Sequence, residues 1–121
     1  MSRSLESLKS VREQHPGDVA ELATVRGQDG KAYLANVVLD SSAILIQPRG
    51  GVTRPLAWAD ITGFKMVQYG KTCRDCLEVA LGGESVCLMP VSEATLFPLS
   101  VRRAELFFDS IRKHWGSAHP K

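Results

Sequence analysis

The sequence of 121 residues lacks several features that would assign it to a common class of protein. No apolar run approaches the roughly 18–20 residues that a membrane-spanning helix needs. The 15 basic and 13 acidic residues leave a net charge of +2, which is too small for general nucleic-acid binding through bulk charge. There is no internal repeat and no low-complexity segment. These absences argue against a transmembrane protein, a general nucleic-acid binder and a disordered linker.

Cysteine is also scarce. The chain has three cysteines, an odd number that fits a reducing compartment better than a disulfide-stapled secreted fold. Residues 1–9 carry a charge every few positions and no continuous apolar core, which is not the pattern of a secretory signal. We therefore expect a cytoplasmic protein.

Motifs of common enzyme classes are absent as well. The sequence contains no Gly-x-Ser-x-Gly, P-loop or Gly-x-Gly-x-x-Gly motif. A nucleophile and base pair would need a histidine close to a serine or cysteine. His15 precedes a proline at a predicted helix end, and His114 and His119 lie near the chain terminus. We expect a protein that is not an enzyme and needs no cofactor.

The cysteines have one suggestive spacing. Cys73 and Cys76 are spaced like half of a zinc site, and Cys87 is a diagonal neighbour of Cys76 in the hairpin predicted below. A fourth ligand would have to be a histidine, and none is tied to this hairpin. A redox pair is disfavoured because a redox Cys-x-x-Cys usually begins a helix. We favour small residues in a turn and a strand, with no metal site.

Short runs of apolar and β-branched residues, separated by turn residues, predict seven strands. They span residues 19–26, 32–39, 43–47, 53–58, 61–69, 75–81 and 84–90. For the first run a helical turn is the alternative, since Asp18 and Glu21 have the spacing of a capping box. The strand is favoured because a clear strand follows the turn at 27–30.

The strongest hairpin is the last one, because its Gly82-Gly83 loop permits the positive φ angles of primed turns. Its register places four aliphatic residues on a core face: Leu77, Val79, Val86 and Leu88. The opposite face carries a candidate interface that is less polar than a solvated strand face: Cys76, Ala80, Cys87 and Met89. Leu34 and Leu45 add further apolar surface. Either the N-terminal helix or residues 91–99 cover this surface, or a partner or second copy does.

Helical periodicity appears at both ends of the chain. Residues 4–14 predict a short helix within an N-terminal segment at 1–18. After Pro98, Ser100 is a plausible N-cap of an amphipathic helix. Its apolar stripe is Ala104, Phe107, Phe108, Ile111 and Trp115. Gly116 is expected to end this helix and 117–121 to form a disordered tail. The predicted fold is mainly β (α+β): a seven-stranded antiparallel barrel or sandwich capped by the C-terminal helix.

Seven strands and a closing helix, over about residues 19–116, are similar in order to the pleckstrin-homology-like (PH-like) superfold. Within this range, 43–64 resembles the GRAM-like and bacterial PH-like branch: a strand, a glycine turn, then Arg54-Pro-Leu-Ala-Trp58-Ala-Asp60-Ile61-Thr-Gly-Phe64. In such a segment Trp58 and Ile61 reach the core while Asp60 lies at the bend. The resemblance implies a PH-like domain at 19–116 that recruits lipids, peptides or partner domains and does not catalyse a reaction.

We therefore expect a non-catalytic binding or adaptor module that binds a protein partner, or itself, through a strand edge or the apolar hairpin face. The alternative is a peripheral membrane module that binds anionic lipid headgroups through five basic residues: Arg26, Lys31, Lys65, Lys71 and Arg74. Phosphoinositide-binding members need several cations around the first hairpin loop. Here only Arg26 and Lys31 flank the turn at 27–30.

Overall fold

The computed structural model describes residues 8–48, 51–69 and 74–119. Its seven strands are β1 (Val19–Arg26), β2 (Ala32–Leu39), β3 (Ala43–Pro48), β4 (Arg54–Ala57), β5 (Gly63–Tyr69), β6 (Arg74–Leu81) and β7 (Glu84–Pro90). The helices are α1 (Leu8–Gln14) and α2 (Val101–Ala118). All strand pairs are antiparallel, and the sheet order is β4-β3-β2-β1-β7-β6-β5. The sheet curls into a half-barrel, and the buried side chains of α2 pack against its concave side.

The predicted strands are confirmed, with bounds that differ by two residues or fewer. The segment at 19–26 is a strand and not a helical turn. The strands form one curled sheet and not the two sheets of a sandwich, and β4 and β5 are its edges in the described part of the chain. The fold is mainly β, with a short N-terminal helix and a longer C-terminal one.

The predicted register of the last hairpin is also confirmed. Leu77 pairs with Leu88 and Val79 pairs with Val86, and all four side chains are buried. They belong to the main core together with the buried residues of α2, Phe107, Phe108 and Ile111. We call the face that carries this core the inner face and the opposite one the outer face. Packing of α2 therefore buries the face that strand alternation predicted.

A 3₁₀ turn at Trp58–Asp60 joins β4 to β5. As expected from the resemblance, Trp58 and Ile61 are fully buried, while Asp60 is exposed at the bend. The indole Nε1 of Trp58 donates to the backbone oxygen of Asp40 at 2.8 Å. This bond satisfies the polar atom of a buried indole and fixes the turn against the end of β2.

The predicted N-cap of α2 is confirmed, since Ser100 Oγ accepts from the Arg103 amide at 3.4 Å. The predicted end at Gly116 is wrong, because the helix continues to Ala118. Glycine costs only about 1 kcal/mol in a helix interior. Contacts of Trp115 and His119 with the body of the fold hold the last turn in place despite Gly116. Residues 117 and 118, predicted as tail, thus belong to the helix, and 120–121 lie outside the described residues.

Candidate binding surfaces

Helix α1 packs on the outer face of the sheet. Leu8 and Val11 contact a cluster formed by Ala20 and Val38, with Leu45 partly buried against it. The Leu8 amide also donates to Glu93 Oε2 at 2.7 Å, which links the start of α1 to the β7–α2 connection. Part of the apolar outer surface predicted from the sequence is therefore covered by the chain itself.

The candidate interface of Cys76, Ala80, Cys87 and Met89 lies together on the outer face, as the β6–β7 register requires. Cys76 and Cys87 are buried, and Ala80 and Met89 are partly buried. Glu78 shares this face, with its Oε2 at 4.0 Å from Cys87 Sγ. The two sulfurs are thus largely closed to a partner in the single chain. Cys73, the other cysteine of the possible half zinc site, lies outside the described residues.

Among the basic residues predicted to bind anionic headgroups, Arg26 and Lys65 both lie on the outer face of the sheet, but apart from each other. In the sheet register, Lys65 of β5 lies opposite Glu78 of β6. Glu78 lies opposite Cys87 of β7, and Cys87 lies opposite Arg26 of β1. Arg26 and Lys65 are thus three strand spacings apart, about 14 Å, with a carboxylate between them. Arg26 Nη1 donates to the Gly30 oxygen at 3.2 Å.

Of the remaining members of that set, the structure describes the side chain of Lys31 alone. Lys31 is exposed after the β1–β2 turn. Arg74 is the first residue of β6, and its side chain is outside what the structure describes. Lys71 lies outside the described residues altogether.

A shallow cleft of about 590 Å³ lies where the β1–β2 and β6–β7 turns meet. The two turns are joined by Gln28, whose Nε2 donates to the Gly83 oxygen at 2.9 Å. Two cations and two carboxylates contribute to the lining: Lys31, Arg54, Asp29 and Glu84. Arg54 and Glu84 form an ion pair with each other. Because the charges are balanced, this cleft does not concentrate positive potential for a phosphate.

The two edge strands differ in their capacity to accept another strand. β4 has four residues, and one of them is the exposed Pro55, which has no amide hydrogen to donate. β5 has seven residues and no proline. No strand of the described chain pairs with the outer edge of β5. Of the two edges, β5 is therefore the better template for main-chain pairing.

Side chains of β5 and α2 meet on the inner face, and we call the surface along this meeting line the β5 groove. Phe64 packs edge-to-face on Trp115 with ring centroids 5.6 Å apart. Met66, 40% exposed, lies further along β5, with its Sδ 3.8 Å from Arg112 Nη2. Arg112 also donates to Asp109 Oδ1 at 2.9 Å. The groove thus has an apolar floor from β5 and a charged rim from α2.

Strand alternation puts Phe64 and Met66 on one face of the 61–69 strand, but it does not identify the groove. A strand edge was expected as a binding route in general, without its position. Which strand lies at the edge depends on the pairing of β7 with β1, which leaves β5 last in the sheet. The local signal is Pro55 in β4, which makes the other edge a poorer template for strand pairing.

The ring nitrogens of the described histidines lie close to backbone or carboxylate oxygens. Among the described residues, no group of three or more histidine, cysteine, aspartate or glutamate side chains is placed to hold a metal ion. Nδ1 of His114 is 2.8 Å from the Ser110 backbone oxygen, and Nε2 of His119 is 2.7 Å from that of Trp58. His15 lies 3.9 Å from an Asp18 carboxylate oxygen.

Comparison with known proteins gives a similarity of fold. No known protein-family profile matches the sequence, and no curated protein sequence matches it. The chain is similar to the solved structure of inner membrane complex sub-compartment protein 3 from Toxoplasma gondii, with a TM-score of 0.57 and 12% identity. The alignment covers 97% of this chain and 90% of that one. In the residues described, no helix has the length and apolar character needed to cross a bilayer.

Proposed function

We propose that the protein is a non-catalytic binding module of PH-like fold, and that a partner protein adds an extended segment to the edge of β5. The seven-strand order with a closing helix and the burial of Trp58 and Ile61 in the 43–64 segment support the PH-like assignment. The similarity to a solved structure over nearly the whole chain is consistent with it. The observation that carries the proposal is the open, proline-free edge of β5 beside the exposed Met66.

Strand addition explains how such a surface gains both affinity and selectivity. Main-chain hydrogen bonds to the β5 edge supply affinity, and pockets for alternate side chains supply selectivity. Every second side chain of the added segment would face the β5 groove and contact Phe64 and Met66. An apolar residue at those positions fits this floor.

The outer face of β5 indicates the chemistry of the intervening positions. Lys65 is exposed near the middle of β5. A lysine on an edge strand discourages indiscriminate pairing with another sheet, whereas an opposite charge across the pair is favourable. This favours a partner segment with an acidic residue on its outer face over pairing of β5 with a second copy of itself.

The placement of the potential catalytic groups supports a role without catalysis. Each described histidine has a ring nitrogen near a backbone oxygen or a carboxylate oxygen. Cys76 and Cys87 are buried on the outer face. The proposal therefore assigns the protein recognition chemistry, with complementarity of edge and groove as its mechanism.

The test uses peptides selected from a random phage-displayed library on the immobilised protein. Affinities of the selected peptides are then measured by fluorescence anisotropy for Met66→Glu and for a matched control, Tyr33→Glu. Tyr33 is 41% exposed and lines the cleft at the β1–β2 and β6–β7 turns, away from the β5 groove. Met66 is 40% exposed, so the two variants introduce a negative charge at positions of nearly equal exposure. We expect Met66→Glu to weaken binding at least about tenfold and Tyr33→Glu to change it less than about twofold.

The opposite ranking of the two variants would move the binding site to the cleft and overturn the proposal. Sedimentation equilibrium tests whether the occupant of the β5 groove is a second copy of the chain. A dimer that Met66→Glu abolishes would show that a second copy occupies the groove, which contradicts a separate partner.

A further inference from the structure

The connection between β7 and α2 forms a closed turn at residues 92–97, which we call the apolar tip. Val91 and Pro98 form a bridge at its base. The Ser92 amide donates to the Phe97 oxygen, and the Leu96 amide donates to the Ser92 oxygen, both at 2.8 Å. Val91 and Leu99, on either side of the turn, are buried. The tip is thus anchored to the core and held by its own backbone hydrogen bonds.

This anchored turn presents large apolar side chains to solvent. Phe97 is 72% exposed and Leu96 is 52% exposed. Leu96 has a φ of 62°, the left-handed region that a leucine rarely adopts. Val101, at the start of α2, is exposed as well. The turn therefore exposes two adjacent apolar side chains, Leu96 and Phe97. Their hydrophobicity favours burial, and leucine disfavours the backbone conformation of Leu96.

Positive charge follows the tip along the chain. Arg102 and Arg103 lie in the first turn of α2, and both are exposed. In the described part of the chain, no carboxylate lies within 4 Å of Arg102. The nearest acidic residue in the tip is Glu93, and its carboxylate accepts the Leu8 amide.

We propose that the apolar tip inserts into the surface of an anionic lipid bilayer, with Leu96 and Phe97 among the acyl chains and Arg102 beside the headgroup phosphates. The size of the patch favours a bilayer over a protein. Leu96, Phe97 and Val101 are three exposed apolar residues, whereas each side of a specific protein interface contributes roughly 20–30 residues. A bilayer surface needs only a few apolar side chains and neighbouring cations.

The tip is separate from the cleft and from the β1–β2 turn. The Val91 amide donates to the oxygen of Leu22, in the first half of β1. The turn after Arg26 and the cleft lie at the other end of β1. Insertion of the tip therefore does not depend on Arg26 and Lys31.

The test is co-sedimentation of the full chain with vesicles of phosphatidylcholine, alone or with about one-third phosphatidylserine. The variants are Phe97→Ser, Arg102→Gln and a control, Val52→Ser. Val52 is 88% exposed in the β3–β4 connection, so the control removes an equally accessible apolar side chain elsewhere. We expect Phe97→Ser to lower binding to the mixed vesicles about tenfold or more. Arg102→Gln should reduce the preference for phosphatidylserine, and Val52→Ser should change binding less than about twofold.

Equal binding of Phe97→Ser and the unchanged chain would overturn the proposal, as would absence of the unchanged chain from both vesicle pellets. A solution dimer that depends on Phe97, without vesicle binding, would assign the tip to a protein contact instead. A second measurement does not rely on loss of binding. Phe97→Trp should give indole emission that shifts to shorter wavelength with the mixed vesicles and is quenched by brominated lipid, whereas unchanged emission would contradict insertion.

Discussion

His119 Nε2 lies 2.7 Å from the backbone oxygen of Trp58, so the C-terminal end of α2 is tied to the 3₁₀ turn between β4 and β5. The His119 ring also stacks on Trp115, with ring centroids 4.6 Å apart. Trp115 in turn donates from Nε1 to the Ile61 oxygen at 2.7 Å. These contacts hold α2 beside β5 and thereby define one wall of the β5 groove.

Removal of the His119 ring should destabilise the fold. His119→Ala loses one partly buried hydrogen bond and one ring stack, and we expect a decrease of about 1–2 kcal/mol in the free energy of unfolding. Urea unfolding followed by tryptophan fluorescence measures it. Ser117→Ala, at an exposed position of the same helical turn, is the control and should have little effect. Equal effects of the two variants would mean that the His119 contacts do not secure the helix end.

Glu21 should contribute to a free energy of unfolding that increases as the pH falls, which is the opposite of the usual contribution of a carboxylate. Burial raises the pKa of Glu21 above 4.5, although Arg12 and Arg103 act to lower it. Because the pKa is higher in the native state, the native state takes up protons first as the pH falls toward 4.5. Over that window protonation of Glu21 stabilises the fold.

The variant Glu21→Gln isolates this contribution, since glutamine does not titrate. We expect the free energy of unfolding of the unchanged chain, relative to that of the variant, to increase from neutral pH to pH 4.5. Urea unfolding at a series of pH values provides the comparison. A relative decrease over the same window would mean that the two arginines outweigh burial and lower the pKa of Glu21.

The N-cap of α2 contributes to the stability of the helix that closes the half-barrel. Ser100→Ala removes the oxygen that accepts from the Arg103 amide, and we expect a loss of about 1 kcal/mol. Ser100→Asp restores an acceptor and should recover most of the loss. Thermal unfolding of both variants checks this, and equal destabilisation by alanine and aspartate would contradict the capping role.

The left-handed backbone at Leu96 should respond to a residue that tolerates it. Asparagine adopts this region more readily than leucine, so Leu96→Asn should raise the free energy of unfolding by about 0.5–1 kcal/mol. Ala94→Asn places the same residue in the same turn at a position without positive φ. Urea unfolding measures the free energy of unfolding of both variants. Equal changes in the two would contradict the explanation from the left-handed backbone of Leu96.

Local patterns were sufficient to predict much of the fold. The Gly82-Gly83 loop fixes the register of its hairpin, and alternation then decides that Leu77 and Val79 face the core. The change from a period of two to a period of 3.6 located α2, and Ser100 located its start. In each case residues close in the sequence carry the information.

The remaining features depend on contacts between distant residues. His119 and Trp58 are separated by 61 positions, and neither residue's neighbours indicate that α2 would pass Gly116 to bring them together. The exposure of Met66 follows from the sheet order, which leaves β5 at an edge. The conformation of Leu96 opposes its intrinsic preference, so no local pattern predicts the apolar tip.

The most direct test of strand addition is amide hydrogen exchange, measured by NMR, on the chain with and without a library-selected peptide. In the free chain, alternate amides of β5 that point away from β6 should exchange rapidly, because no described strand pairs with that edge. Strand addition predicts that these amides become protected when the peptide binds, while Met66 resonances shift. Binding that leaves those amides unprotected, with changes confined to the cleft or the outer face, would contradict it.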